Sequence, residues 1–160
     1  MPLEKIISGG QTGADRAGLD AAIELGIPYG GYLTKGRRSE DGTVPERYVN
    51  LIELDTWDYP TRTEKNLTES DATLLLTIKG LTGGSALTAQ LAAKHKKLLL
   101  RVNLDKDGKH VAVEKIQEWL QQNPGIRVLN VAGSRESKEP GFQQRVTEIL
   151  LLALKINPGQ

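Results

Sequence analysis

Two glycine-rich loops of one kind, each set between a short apolar run and a helical pattern, limit the folds open to this chain. The first is Ser8-Gly9-Gly10-Gln11-Thr12-Gly13-Ala14-Asp15-Arg16 and the second Leu81-Thr82-Gly83-Gly84-Ser85-Ala86-Leu87-Thr88. A strand that turns through glycines into a helix aims backbone N–H groups at one point. The helix N-terminus adds partial positive charge there. Two such junctions in one small chain suggest a phosphorylated ligand, or another oxyanion, held by backbone amides.

The rest of the chain repeats the alternation. Apolar runs at 3–8, 51–54, 72–78, 97–102 and 127–131 read as strands. The run at 72–78 is apolar on both faces, as a central parallel strand should be. Residues 15–25, 59–70, 84–95, 111–122 and 141–156 read as helices, and 157–160 as a frayed tail. Gly26 and Pro28 stop the first helix, and Asn123-Pro124-Gly125 stops the fourth. Residues 29–50 are rich in Gly, Arg, Lys and Asp, lack a clear period, and read as one long functional loop. Strand alternating with helix implies right-handed crossovers and a mainly parallel sheet with helices on both faces. The expected fold is therefore a single α/β domain over residues 1–160, a Rossmann-like three-layer sandwich.

Charge and cysteine content narrow the function. With 21 basic and 20 acidic residues the net charge is +1, which provides no field for nucleic acid or a membrane surface. There is no cysteine, hence no disulfide, thiolate ligand or cysteine nucleophile. The start of the sequence shows no signal-peptide pattern, and no apolar run reaches the ~20 residues a membrane span needs. A cytoplasmic protein is the expectation.

In an open parallel sheet, ligands bind beyond the carboxyl ends of the strands, so the loops after the strands are the candidates. The first loop fits neither the P-loop nor the GxGxxG pattern. Gly9, Gly10 and Gly13 allow close backbone approach, Gln11 and Thr12 add side-chain hydrogen bonds, and Asp15 and Arg16 open the helix. A tight structural turn explains the same glycines. In the second loop Thr82, Gly83, Gly84 and Ser85 are phosphate candidates or simply a helix cap. A third loop, Gly133-Ser134-Arg135 after Asn130, can close over the ligand or serve as an ordinary turn. Lys35, Arg37 and Arg38 in the long loop suit phosphate. Glu40 and Asp41 beside them either neutralise those cations or ligate Mg²⁺. Arg62 and Asn66 lie one turn apart on one helix face. His95 and His110 are isolated and expected to be exposed, no metal site is assigned, and Trp57 and Trp119 read as packing residues. The first loop carries the greater polar variety and is expected to be the more ligand-specific.

These motifs, in this order, resemble the molybdenum-cofactor carrier proteins of bacteria. The resemblance is most specific over residues 7–46 and 62–89. It implies a Rossmann-like fold of the wider class that includes the nucleoside-monophosphate phosphoribohydrolases, once labelled lysine decarboxylases. It also implies a molybdopterin ligand, a pterin with a terminal phosphate, and by analogy a homo-oligomer. The phosphoribohydrolases carry an arginine nine residues before an aspartate, a relation held here by Arg62 and Asp71. They also carry PGGxGTxxE, to which residues 82–90 correspond. The proline, the third glycine and the threonine of that motif are missing, and Gln90 stands at its catalytic glutamate. Glutamine cannot serve as a carboxylate base, so no catalytic residue is assigned. The expected function is a binding or carrier protein for a phosphorylated, nucleotide-like ligand. The alternative is a nucleotide-processing hydrolase in which Asp15, Glu40 or Asp41 supplies the carboxylate.

Overall fold

The computed structural model describes residues 3–155, so the expected tail and position 156 of the expected last helix lie outside the described residues. In chain order the elements are β1 (Lys5–Ile7), α1 (Ala14–Leu25), β2 (Tyr29–Gly30), β3 (Tyr32–Leu33), β4 (Arg38–Ser39), β5 (Gly42–Thr43) and β6 (Ile52–Glu53). There follow α2 (Tyr59–Thr68), β7 (Ala72–Thr77), α3 (Gly83–Lys94), β8 (Leu98–Asn103), α4 (Lys109–Gln122), β9 (Val128–Gly133) and α5 (Phe142–Leu154).

Five strands form one sheet in the order β2-β1-β9-β7-β8, every pair parallel. The last strand in sequence is therefore central in space. Counting β9 first turns the order into 3-2-1-4-5, the order at the heart of doubly wound nucleotide-binding sheets. Helix α5 packs against α1 and α4 on one face, and α2 packs against α3 on the other. All six residues of β7 are buried, which explains why it reads as apolar on both faces. Strand β8 is an edge, and Leu98 at its start is exposed.

Two glycines set the spacing at the sheet centre. A Cβ on Gly18 of α1 would lie 2.7 Å from Val131 Cβ, so the missing side chain lets α1 sit directly on β9. Gly133 ends β9 at φ +154°, and a Cβ there would meet the Leu76 carbonyl oxygen at 1.9 Å. No other residue fits that close approach of β9 to β7.

The expectation of one long loop over 29–50 is corrected. Strand β2 joins the main sheet, β4 and β5 form a small antiparallel hairpin, and β3 pairs in parallel with β6. Leu19, Leu33, Val44 and Tyr48 make a second, smaller apolar cluster beneath this segment. Among the described residues no helix is long and apolar enough to cross a membrane.

Candidate binding cleft

The carboxyl ends of β1, β7 and β9 share one edge of the sheet, and a cleft opens there. It is lined by Gly9, Gln11 and Asp15 from the first loop and Arg62, Thr63 and Asn66 from α2. Gly84 and Thr88 line it from α3, and Asn130, Ala132, Gly133 and Arg135 from the end of β9. Its position between β9 and β7 is where the renumbered strand order reverses, the usual ligand crevice of such sheets.

The first loop is largely closed on itself. The Gly10 N–H donates to Ser8 Oγ (3.2 Å), the Gln11 N–H to Asp15 Oδ2 (3.1 Å) and the Thr12 N–H to Gln11 Oε1 (3.2 Å). The Ala14 N–H donates to the Ser134 carbonyl at 3.1 Å. These amides therefore build a wall, whereas the sequence suggests a cradle. The second loop differs. Ser85 Oγ accepts from the Thr82 N–H at 3.1 Å, and Thr82 Oγ1 accepts from Lys138 Nζ at 2.7 Å. The Gly83 and Gly84 amides at the start of α3 have no partner among the described residues. Of the two, Gly84 lines the cleft and is its open helix-end donor.

Three side chains give the cleft its charge pattern. Gln11 is 6% exposed; its Oε1 also accepts from the Glu40 N–H at 2.8 Å, while its buried Nε2 lacks any partner. Arg62, with its side chain 13% exposed, donates from Nη1 to the Gly9 carbonyl at 2.9 Å. The same nitrogen lies 3.5 Å from Asp15 Oδ2, and Nη2 donates to Thr63 Oγ1 at 3.2 Å, yet the buried Nε has no partner. The Arg62 side chain also fills the space beside Gly9, where a Cβ would fall 2.1 Å from Nη1. Asp15 is 6% exposed, and burial pushes its carboxyl above the usual range. Arg62, the Gln11 amide, Arg135 and Arg16 only partly offset that cost.

Several predicted residues do not reach the cleft. Arg16 donates from Nε to the Gly10 carbonyl (3.0 Å) and pairs through both Nη atoms with Asp41 (2.7 and 2.8 Å). Arg37 is taken by the carbonyls of Val44, Pro45 and Tyr48. Lys35 lies 3.5 Å from Asp55, and Lys35 and Arg38 stand 5.9 and 5.5 Å from the Trp57 ring. Trp57 itself is 56% exposed, which corrects its reading as a packing residue. Ser134 Oγ bonds the backbone of Ile78 in both directions, and Asn66, though it lines the cleft, holds both backbone groups of Tyr32. Gly13 packs against the Ser134 carbonyl, where a Cβ would be 2.3 Å away.

Glu40 accepts from Thr12 and from Ser137 Oγ (2.6 Å), and the Glu136 N–H donates to Thr12 Oγ1 at 3.2 Å. The first loop, the 38–43 hairpin and the third loop are thus one hydrogen-bonded unit. Of the three candidate carboxylates only Asp15 lines the cleft. Asp71, paired by sequence spacing with Arg62, binds the Arg127 and Val128 amides at the opposite edge of the sheet. Gln90 is exposed and does not line the cleft. His95 is half-buried, with Nε2 2.7 Å from Glu64 Oε2, which corrects its reading as exposed. Among the described residues no cluster of His, Asp and Glu is arranged to hold a metal. Thr63, Thr88 and Ala132 were not singled out from the sequence. Thr63 and Ala132 lie outside the two glycine loops and Thr88 at the far end of the second, and only the register of α2, α3 and β9 brings them in.

Fold and cleft together define a Rossmann-like protein with its crevice at the switch point of a rearranged parallel sheet. The chain belongs to the circularly permutated YpsA SLOG family, whose model matches residues 6–154. It is similar to a crystallised protein from Syntrophus aciditrophicus SB described as a "Putative molybdenum carrier protein". The two are 48% identical, the match covers 95% of each chain, and the TM-score is 0.90. No curated protein matches.

Proposed function

We propose that this protein binds or carries a small phosphorylated, nucleotide-like ligand, with molybdopterin as the leading candidate. One observation carries the reading: the unpaired polar groups of the cleft are predominantly donors. Gln11 Nε2 and Arg62 Nε, both buried in its wall, and the Gly84 amide lack partners, and Arg135 stands at the rim. A set of N–H donors at a helix N-terminus suits an oxyanion. The molybdenum carrier description of the similar crystallised protein supports the choice of cofactor. In this chain, without cysteine, that cofactor would be held by its phosphate at these donors and by its pterin along Asn130 and Thr88.

A thermal-shift screen tests the reading. Nucleoside monophosphates and molybdopterin are each offered in excess, and a ligand selective for the folded state raises Tm. At a hundredfold excess over Kd the gain is about 2.7 kcal/mol. The reading fails if no phosphorylated compound moves the transition.

A second reading, hydrolysis of a nucleotide N-glycosidic bond, is favoured only by Asp15, the one carboxylate lining the cleft. Release of free base from AMP, lost in Asp15→Asn, would establish it. The expected homo-oligomer is carried forward with a structural motive. Helix α3 buries Ser85 and Thr88 and leaves Leu87 and Leu91 partly open, and Leu98 of the β8 edge is exposed. Light scattering reads the outcome.

A further inference from the structure

We propose that Asp15 makes the cleft selective among tetrahedral oxyanions, favouring those that carry a proton or an adjoining hydroxyl and rejecting fully deprotonated ones such as molybdate. The inference rests on the reading of the cleft as an oxyanion site and goes on to name which oxyanions it accepts.

The argument is one of donors and acceptors. A bare tetrahedral oxyanion offers only acceptors, so a site built for it should present only donors. The Gln11, Arg62 and α3 groups meet that requirement, but Asp15 does not. Its Oδ2 is used by the Gln11 N–H and faces Arg62. Its Oδ1 accepts no hydrogen bond from the described residues, and it is not among the buried unpaired atoms, so it opens onto the cleft. When ionised, that carboxylate oxygen attracts a hydroxyl and repels a second proton-free oxyanion; burial raises the Asp15 carboxyl, so the preference belongs to pH values above that raised pKa. Arg62 screens that repulsion but leaves Oδ1 without a hydrogen-bond donor, because its Nη atoms serve the Gly9 carbonyl, Oδ2 and Thr63.

Inorganic phosphate near neutral pH carries at least one proton and can donate it to Asp15 Oδ1 while its other oxygens take the N–H donors. Molybdate and sulfate have nearly the same shape and no proton to donate. In an organic phosphate, a sugar or pterin hydroxyl or N–H beside the phosphate fills the same role. The ligand class is therefore a phosphate compound with a neighbouring donor, which separates the carriage of a phosphorylated cofactor from the carriage of the bare metal oxyanion.

Isothermal titration at pH 7 and fixed ionic strength, with inorganic phosphate, molybdate and sulfate as probes, tests this. The wild-type protein is expected to bind phosphate at least about tenfold more tightly than molybdate or sulfate, the scale of one hydrogen bond to a charged group. In Asp15→Asn the amide places a donor where Oδ1 stood, and the preference collapses or inverts. Equal or tighter binding of molybdate by the wild type overturns the selectivity and leaves the oxyanion reading intact. A full phosphate preference retained by folded Asp15→Asn does the same. If neither phosphate nor molybdate binds, both the selectivity and the oxyanion reading fall. Should Asp15→Asn not fold, the wild-type ratio alone decides.

Discussion

Arg62 lines the cleft, holds the Gly9 carbonyl, faces Asp15 and keeps a buried Nε unpaired, so it joins stability to recognition in one side chain. Removing it strands a buried carboxylate. Arg62→Ala should cost roughly 3 kcal/mol in urea unfolding at pH 7, the usual penalty for breaking a buried pair from one side. Asp15 has a folded-state pKa raised by burial, and it rises further without its cation. A raised carboxyl pKa means the folded protein binds the proton more readily than the unfolded chain does. The loss in Arg62→Ala should therefore shrink as pH falls from 7 toward 5, and unfolding curves at several pH values check the sign. Adding Asp15→Asn should restore part of the lost stability at pH 7. Gln11 shows what sequence reading reaches at this scale. Its position between glycines marks it as polar and functional, but which of its atoms is spare depends on Thr12 and Glu40, the latter 29 residues away. The opposite case is Arg37, whose charge suggests a ligand although its donors are consumed by three carbonyls of its own segment.

At the scale of elements, β1, β7, β8, β9 and all five helices could be read from hydrophobic period and glycine punctuation, with no end displaced by more than two residues. The 29–50 segment could not. Its strands are two residues each, too short to show a period, and side chains hold it in place. Asp41 is held well below the usual carboxylate range by Arg16 and Ser39. Burial pushes Glu40 upward, but hydrogen bonds from Ser137 and Thr12 outweigh it and hold the group low. Depressed carboxyl pKa values mean that the clamp is fully formed above the ordinary carboxylate range and lost as pH falls through the lowered values. Hydrogen exchange, corrected for intrinsic rates, should show the 38–43 hairpin losing protection below about pH 4 before β7 and β9 do. Helix α1 offers a separate check. Gly18→Ala should destabilise by about 1–3 kcal/mol through overpacking against Val131, despite alanine's better helix propensity.

The whole molecule carries information that local patterns lack. Alternating strands and helices imply a parallel sheet, but no local signal says that the last strand enters its middle. The glycines after β1 and β7 mark two walls of the cleft, while the third wall depends on β9 lying between those strands. If the arrangement is a rearranged form of the 3-2-1-4-5 sheet, moving the chain ends should be tolerated. A variant opened at the Asn123-Pro124-Gly125 turn, with the present ends joined by a flexible linker, should keep the native circular dichroism spectrum and a cooperative melt. The central place of β9 also bears on birth at the ribosome. Before residue 128 emerges, the main sheet of the nascent chain exists only as two separate strand pairs, β1 with β2 and β7 with β8. Each then leaves an apolar edge open. A polypeptide made from its N-terminus would thus wait for β9 before the two halves could be joined, and until then a chaperone would have most to shield.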